Sequence, residues 1–401
     1  MSSSGDNTVV IVGASAAGLS AADGLREGGF TGPVVVLDAE AEPGYDRPML
    51  SKGLLAAKET TAPASLRTRE QLAEKNIEIL GGHGAVGLDI DRRLVVTNWG
   101  EAIPWHRLIV ATGVTARPVV TTSGMALPTL RTRADLDTAR AIATSGKPVT
   151  LIGSGFIGLE VAAALRSRGV QVTVVGRCAL PLVSSVGTEV ALWLRDLHLA
   201  HGTRLELGTG ISRVSETGAR YAVRLADGRE LHAETVLAGV GSDPATDWLL
   251  GSGVDLDGGV VTDSAGRTNV PGVWAAGDVA SVPDPCGGHL RFEHWTHAIE
   301  QGRHVGLNIA RGTTDPYTAV PYVWTEQYGH TLHLLGERQP GDTDVVIEGD
   351  VAAGEFVVAH ASGGELHGAT LCGRIRALRT FKKLLRAGAT LDDALAIATP
   401  A

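Results

Sequence analysis

The sequence predicts an α/β protein in which two Rossmann-like strand–turn–helix units are followed by an α+β C-terminal domain. Three observations predict it. First, residues 8–28, TVVIVGASAAGLSAADGLREG, and residues 149–169, VTLIGSGFIGLEVAAALRSRG, share one plan: a β-branched run, glycines, then an Ala/Leu helix ending in Gly. That plan opens a βαβ unit, and it occurs twice. Second, glycine makes up 52 of 401 residues, well above the usual ~7%, with no fibrous period. Such an excess in a globular chain marks tight turns and close backbone approach. Third, residues 319–401 change character, to aromatic and β-rich segments with one basic helix.

The elements follow in order. Each glycine-turn helix is followed by a second strand, at 34–37 and at 172–175. Residues 45–52, YDRPMLSK, form a loop stiffened by Pro48, with a helix starting near Ser51. LVVTNWGEAIPWHRLIVATG (94–113) reads as a hairpin turning at WGE and a returning strand. YAVRLADGRELHAETVLAGVG (221–241) repeats that plan around a DG turn, so the halves resemble each other beyond their openings. VWAAGDVA (273–280) reads as a third strand–glycine–helix junction, and 293–311 as a helix. FVVAHASGGELHGATLCG (356–373) holds a GG hairpin, and RIRALRTFKKLLRAG (374–388) is a basic helix. The expected domains are 1–115 with 245–318, then 116–244, then 319–401.

Composition excludes several classes. Hydrophobic residues at 44% and charged residues at 20% describe a globular chain. A net charge of −9 argues against a dedicated nucleic-acid binder. Cys178, Cys286 and Cys372 form no CxxC pair, so no redox dithiol or zinc knuckle is expected. Scattered thiols suit a reducing compartment, and a cytoplasmic location is expected. No basic-then-apolar leader opens the chain, and no window approaches ~18 uninterrupted apolar residues.

Gly13-Ala14-Ser15-Ala16-Ala17-Gly18 is a G-x-S-x-x-G turn between strand and helix. Gly13 permits the turn, Ser15 stays small, and Gly18 lets the helix pack on the strand. The helix start then faces a pyrophosphate. Asp38 or Glu40 takes the ribose hydroxyls. Gly153-Ser154-Gly155-Phe156-Ile157-Gly158 is a full G-x-G-x-x-G, followed by Glu160. One such motif is also compatible with a plain βα turn. Two of them, 140 positions apart at Gly13 and Gly153, imply two dinucleotides and an electron relay. The second site lacks an acid at its strand end. Gly176-Arg177 stands there instead, which removes repulsion of a 2′-phosphate and offers it a partner. Ala111-Thr112-Gly113 gives another close backbone approach, and Asp278 of Ala276-Gly277-Asp278 is placed to bond ribityl hydroxyls or cap a helix.

YDRPMLSK, the ATG strand end, GSGFIGLE, AAGDVA, EHWTHAIEQG (293–302) and VPYVWTEQYG (320–329) occur in that order. The combination resembles the FAD-dependent ferredoxin reductases of bacterial oxygenase systems, over nearly the whole chain. The resemblance implies a glutathione-reductase-like flavoprotein fold. It implies that Lys52 lies beside the flavin near N5, with Arg47 in the same loop. Arg131 would contact the FAD diphosphate, Val86 the adenosine, and Gly277 and Asp278 the ribityl chain. Trp295, next to His294, would sit between the flavin and the surface facing an iron–sulfur partner. Phe156, Ile157, Glu160 and Gly239-Val240-Gly241 would line the nicotinamide nucleotide. The chain departs from the pattern at Asp38, where Gly is usual, at Glu326, where Asp is usual, and at Gly176-Arg177.

The implied activity takes a hydride from NADH or NADPH to FAD, with Gly176-Arg177 favouring NADPH. Single electrons then pass to a small acidic [2Fe–2S] ferredoxin feeding a cytochrome P450 or Rieske oxygenase. Two alternatives are a flavoprotein using rubredoxin, a quinone or another small acceptor, and a non-enzymatic FAD-bearing interaction protein. The intact second glycine motif disfavours the latter. Arg291, Arg303, Arg311 and the 374–386 run offer a locally basic face, which near Trp295 is expected to dock the ferredoxin. No nucleic acid or membrane is expected as a partner. The sequence leaves monomer and dimer open.

Overall fold

The computed structural model describes residues 7–42, 44–218, 220–284 and 287–398. Cys286 and the first six residues lie outside them. The chain forms two compact units. The first comprises Met1–Asp46, Ala64–Thr115 and Asp243–Ala319; the second comprises Arg47–Pro63, Ala116–Ser242 and Val320–Ala401.

The first unit is built on β1 (Val9–Val12), α1 (Ala16–Glu27) and β2 (Val34–Asp38). Its parallel five-stranded sheet runs in the order Val273–Ala275, Arg107–Val110, β1, β2, Ile77–Gly81. β1 is buried at every position, as the unbroken VVIV run requires of a strand covered on both faces. On one face lie α1 and the helix Trp295–Arg311. A Cβ added at Gly302 would fall 2.2 Å from the Ala17 carbonyl oxygen, and one at Gly306 would fall 2.1 Å from that of Ala21. The two helices therefore pack backbone against backbone through small residues. On the other face lies the antiparallel meander Ala85–Asp89, Leu94–Thr97, Ala102–Pro104. Trp105 and Trp248 are buried in the core formed there. The hairpin expected at WGE is present, closed by Thr97 N donating to Glu101 O.

One expected element is absent. No helix follows Val273–Ala275; Ala280–Pro283 continues as a strand, pairing with Val260–Val261 and His289–Leu290. Val279, Val282 and Pro283 suit a short strand better than a helix start. Asp278 therefore caps no helix. The helix expected at 293–311 begins at Trp295, with His294 as its N-cap and Gly312 closing it at φ 67°.

The second unit repeats the plan with β3 (Val149–Ile152), α2 (Phe156–Ser167) and β4 (Val172–Gly176). The parallel sheet order is Arg204–Leu207, β4, β3, Thr235–Ala238. A second meander, Ile211–Thr217, Arg220–Leu225, Glu230–Ala233, mirrors the first. Residues after 320 form a five-stranded antiparallel sheet in the order Tyr322–Gln327, His330–Gly336, Glu365–Cys372, Glu355–Ser362, Thr343–Asp350. Two of its hairpins are two-residue turns with positive φ at both positions: Tyr328 and Gly329 (51° and 81°), and the GG pair Gly363 and Gly364 (60° and 87°). That is the geometry whose twist matches the strands. The helix Ile375–Arg386 packs through Ala377, Leu378, Phe381, Leu384 and Leu385. No helix among the described residues is long and apolar enough to cross a membrane.

The two halves repeat one strand register. Gly13 N donates to Leu37 O at 2.8 Å and Gly153 N to Val175 O at 2.8 Å. Val12 pairs with Leu37 as Ile152 pairs with Val175. Asp38 and Gly176 are therefore equivalent positions.

Candidate active site

The first glycine turn is shaped by contacts that only glycine permits. Gly13 has φ 110°, and a Cβ there would lie 2.2 Å from Ala111 O; at Gly18 it would lie 1.8 Å from Gly13 O. The ATG segment thus meets the turn directly, and Thr112 Oγ1 donates to Ala245 O at 2.8 Å. Ser15 is the N-cap of α1, so the N–H groups of Ala16, Ala17 and Gly18 open the helix where an anion is favoured. Asp38 braces this turn: Ala14 N donates to its Oδ2 at 2.9 Å and Glu40 N to its Oδ1 at 3.0 Å. Glu40 accepts from the buried Tyr45 hydroxyl at 3.0 Å.

Around this turn, Gly277 has φ 78°, and a Cβ there would lie 2.6 Å from the Ala17 Cβ. Gly277 N donates to Gln301 Oε1 at 2.7 Å. Asp278 accepts at its backbone oxygen from Arg291 Nη1 at 2.8 Å. Trp295 packs against the α1 core. His294 Nδ1 is buried with no hydrogen-bond partner among the described residues. Burial holds the His294 pKa below its ordinary value. Val86, on the strand Ala85–Asp89, is 57% exposed.

The second turn repeats the first. Gly153 has φ 121°, and its Cβ would lie 2.0 Å from Gly239 O; that of Gly158 would lie 2.2 Å from Gly153 O. At Gly155 a Cβ meets nothing within 4 Å. The space above the turn is open at this position. Ile157 is 43% exposed at the mouth, whereas Phe156 packs on the core beneath α2. Val240 packs on the core of the meander, and Gly241 O accepts from Arg117 N at 2.9 Å. At Gly176 a Cβ would fall 2.2 Å from Ser154 Oγ. The Ser154 hydroxyl fills the space that the Asp38 side chain takes in the first turn. Arg177 is exposed, and its guanidinium has no partner among the described residues.

The second unit also gathers a charged pair. Lys52 and Glu160 are expected at different cofactors, yet Lys52 Nζ lies 3.0 Å from Glu160 Oε1 and 3.1 Å from Oε2. Both are buried, at 9% and 3% exposure. Lys52 sits over the Trp324 ring at 5.5 Å. Lys52 is the N-cap of the short helix Gly53–Ala56, which starts two positions after Ser51, near where a start is expected. Glu160 also accepts from Ser51 Oγ and, at 2.7 Å, from Thr325 Oγ1. Arg47 Nη1 donates to Arg131 O at 2.9 Å, and Arg131 N to Asp135 Oδ2 at 2.8 Å. Ser51, Thr325, Gln327 and His198 complete this cluster. Ser51 lies in YDRPMLSK, and Thr325 and Gln327 alternate within VPYVWTEQYG, but neither motif by itself links them to Glu160, and His198 lies in no motif.

These residues fit two dinucleotides: two glycine cradles, an orphaned buried imidazole nitrogen, and a buried ammonium with its carboxylate. Residues 7–302 match the pyridine nucleotide-disulphide oxidoreductase family, and residues 322–400 match the reductase C-terminal family. The ferredoxin–NAD(+) reductase subunit of the Pseudomonas putida benzene 1,2-dioxygenase system is 33% identical over 363 residues, 90% of this chain and 88% of that protein. Rhodocoxin reductase of Rhodococcus erythropolis is 32% identical over 383 residues, 94% and 89% of the two chains. Among solved structures, the covalent putidaredoxin reductase–putidaredoxin complex matches with a TM-score of 0.89 at 28% identity, covering 98% of this chain and 99% of that one. The ferredoxin reductase for the CYP199A2 system from Rhodopseudomonas palustris matches with a TM-score of 0.90 at 28% identity, covering 96% of each chain. With two glycine cradles in register and a matching carboxyl-terminal sheet, the chain belongs to the pyridine nucleotide-disulphide oxidoreductase family.

Proposed function

We propose that the protein is an FAD-dependent NAD(P)H:ferredoxin oxidoreductase that serves an oxygenase, a cytochrome P450 or a Rieske enzyme. The observation that carries this is the pair of in-register glycine cradles together with the buried Lys52–Glu160 pair. Its relatives are named as reductases of such systems. What bound FAD supplies is two-electron acceptance from a nicotinamide and one-electron release to an iron–sulfur centre. The chain supplies position and charge. In this reading 1–115 with 245–318 hold FAD, 116–244 hold the nicotinamide nucleotide, and 319–401 form the partner interface. The α1 start takes the FAD pyrophosphate, and Glu40 takes the adenosine ribose, because Asp38 is engaged as a brace by two backbone amides. Lys52 presents its ammonium where reduction builds negative charge, and Glu160 balances it. Trp295 and His294 line the flavin.

The α2 start takes the nicotinamide pyrophosphate. At Gly176 there is no carboxylate to repel a 2′-phosphate, and Arg177 is available to pair with it, so this reading takes NADPH as the better donor. The ferredoxin docks through the exposed cations Arg376, Arg379, Lys383 and Arg386 on one stripe of the helix Ile375–Arg386. The location is cytoplasmic, in keeping with three scattered thiols.

The test is an anaerobic titration of the purified protein with each nicotinamide. A flavin absorbance bleached by one equivalent is expected. A protein without a flavin band, or a band that neither nucleotide bleaches, overturns the proposal.

A further inference from the structure

We infer that His198, Gln327 and Thr325 are positioning residues whose one-way chain of buried hydrogen bonds aims a hydroxyl proton at Glu160 and so holds the Glu160–Lys52 pair in place for hydride transfer. The inference rests on the reading of that pair as part of the active site. The chain lies wholly within the second unit. Thr325 and Gln327 occupy alternate, inward positions of the strand Tyr322–Gln327, at 0% and 1% exposure. His198 stands near the end of the helix Val183–Ala200 and is likewise fully buried.

Direction is what makes this more than packing. His198 Nε2 lies 2.8 Å from Gln327 Oε1. Gln327 Nε2 donates to Thr325 Oγ1 at 3.0 Å. Thr325 Oγ1 donates to Glu160 Oε1 at 2.7 Å. Each group has one proton to place here. With the proton on His198 Nε2, the Gln327 oxygen accepts, its amide donates to Thr325, and the Thr325 hydroxyl has to point at Glu160. With the proton on Nδ1 instead, Gln327 turns its amide to His198 and its oxygen to Thr325. The Thr325 proton then leaves Glu160. The tautomer of one histidine thus fixes a donor three bonds away.

The other side of His198 is compatible with the first arrangement, in which Nδ1 accepts from the Tyr328 hydroxyl. Nδ1 faces the Tyr328 hydroxyl at 3.4 Å, and that hydroxyl lies 2.8 Å from Thr203 Oγ1. Tyr328 is held in the hairpin turn by stacking on His201, with ring centroids 3.9 Å apart. Burial lowers the His198 pKa to about 4, so the ring is neutral near pH 7 and carries one proton. Glu160 then receives Thr325 on Oε1 and Ser51 on Oε2, with Lys52 against both. The carboxylate is held from both ends and cannot swing away from Lys52.

The test uses the FAD-loaded protein. Thr325→Val keeps shape and deletes the donor to Glu160. Gln327→Glu keeps shape and reverses the middle link. His198→Leu breaks the chain at its far end, and His198→Gln keeps an N–H for Gln327. Nicotinamide-driven ferricyanide reduction is measured for each, with FAD content and KM. One charge-assisted hydrogen bond corresponds to about a tenfold loss or more in kcat. We expect that loss for T325V, Q327E and H198L, with KM and FAD content unchanged, and recovery to near wild-type rate in H198Q. Nitrogen-15 NMR of the histidines in the resting protein should place the His198 proton on Nε2. A wild-type kcat in T325V, a kcat loss in H198Q as large as in H198L, or a proton on Nδ1 overturns the inference. A Lys52→Met variant with full kcat overturns instead the reading of the pair on which the inference rests.

Discussion

Nicotinamide choice at Gly176-Arg177 is the prediction the repeat makes sharpest. In the first turn Asp38 fills the strand end, and its Oδ2 accepts from Ala14 N at 2.9 Å. In the second turn glycine stands at the equivalent place, with Ser154 Oγ over it. Arg177 is the nearby cation for a 2′-phosphate. A charge-assisted bond contributes about 1.5–3 kcal/mol, and exposure with salt screening places Arg177 at the low end. About 1.5 kcal/mol is roughly tenfold. Arg177→Ala should therefore lower kcat/KM for NADPH about tenfold and leave NADH within about twofold. Gly176→Asp alone would drive its Cβ to 2.2 Å from Ser154 Oγ. The double variant Ser154→Gly/Gly176→Asp removes both Ser154 atoms in the way, leaving the side-chain end Leu207 Cδ2 at 2.9 Å, and should move preference to NADH. Binding of 2′,5′-ADP against 5′-AMP, by calorimetry on the FAD-loaded protein, isolates the phosphate from the chemistry. Equal affinity for the two, or an unchanged NADPH-to-NADH ratio in R177A, refutes the reasoning.

Three further predictions follow from other regions. Raising ionic strength should slow reduction of an acidic ferredoxin, leaving a neutral dye unaffected; equal sensitivity would remove the helix Ile375–Arg386 from the docking surface. Gly306→Ala places a Cβ 2.1 Å from Ala21 O and 2.8 Å from Leu25 N, backbone atoms that cannot rotate aside. It should destabilise by up to about 2 kcal/mol, overpacking of ~1–3 offset by ~1 of helix propensity, read as a lower urea midpoint; a midpoint above wild type contradicts it. Burial lowers His198 and His297 to about 4, with His294 adding to the effect at His297. Their unfolded value is 6.5, so the unfolded chain binds the extra protons. The stability they hold is complete above that value and is lost as pH falls towards 4, about 3 kcal/mol each at full burial. Melting curves between pH 7 and 4 should show the loss, reduced in His198→Gln; an undiminished slope in that variant removes His198 from the account.

The two glycine turns, the paired meanders and the GG hairpin were legible because their signals are local: β-branched runs, positive-φ glycines, periodicity. The strand Ala280–Pro283 was misread because a glycine after a strand had opened a helix twice already, and the pattern was extended where Val and Pro favour extension. The polar cluster around Glu160 was not legible. Its members are brought together across 108 positions from Lys52 and 165 to Thr325, and no spacing rule spans such distances. Lys52 and Glu160 were each singled out, but for separate cofactors; only the fold shows them as one ion pair. The two backbone amides that Asp38 accepts from were likewise not legible in the sequence.

The glycine contacts between α1 and the helix Trp295–Arg311 also constrain how the protein is made. The first unit cannot close its sheet face until Arg311 has left the ribosome, 284 positions after Glu27. At about 5–20 residues per second this is roughly 15–60 s. During that interval residues 116–242 of the second unit emerge and can begin to fold. The Ala-rich face of α1 meanwhile waits uncovered. Synthesis thus passes through a stage in which the nucleotide turn exists but its supporting helix does not, and that stage is where chaperone capture or premature association would act.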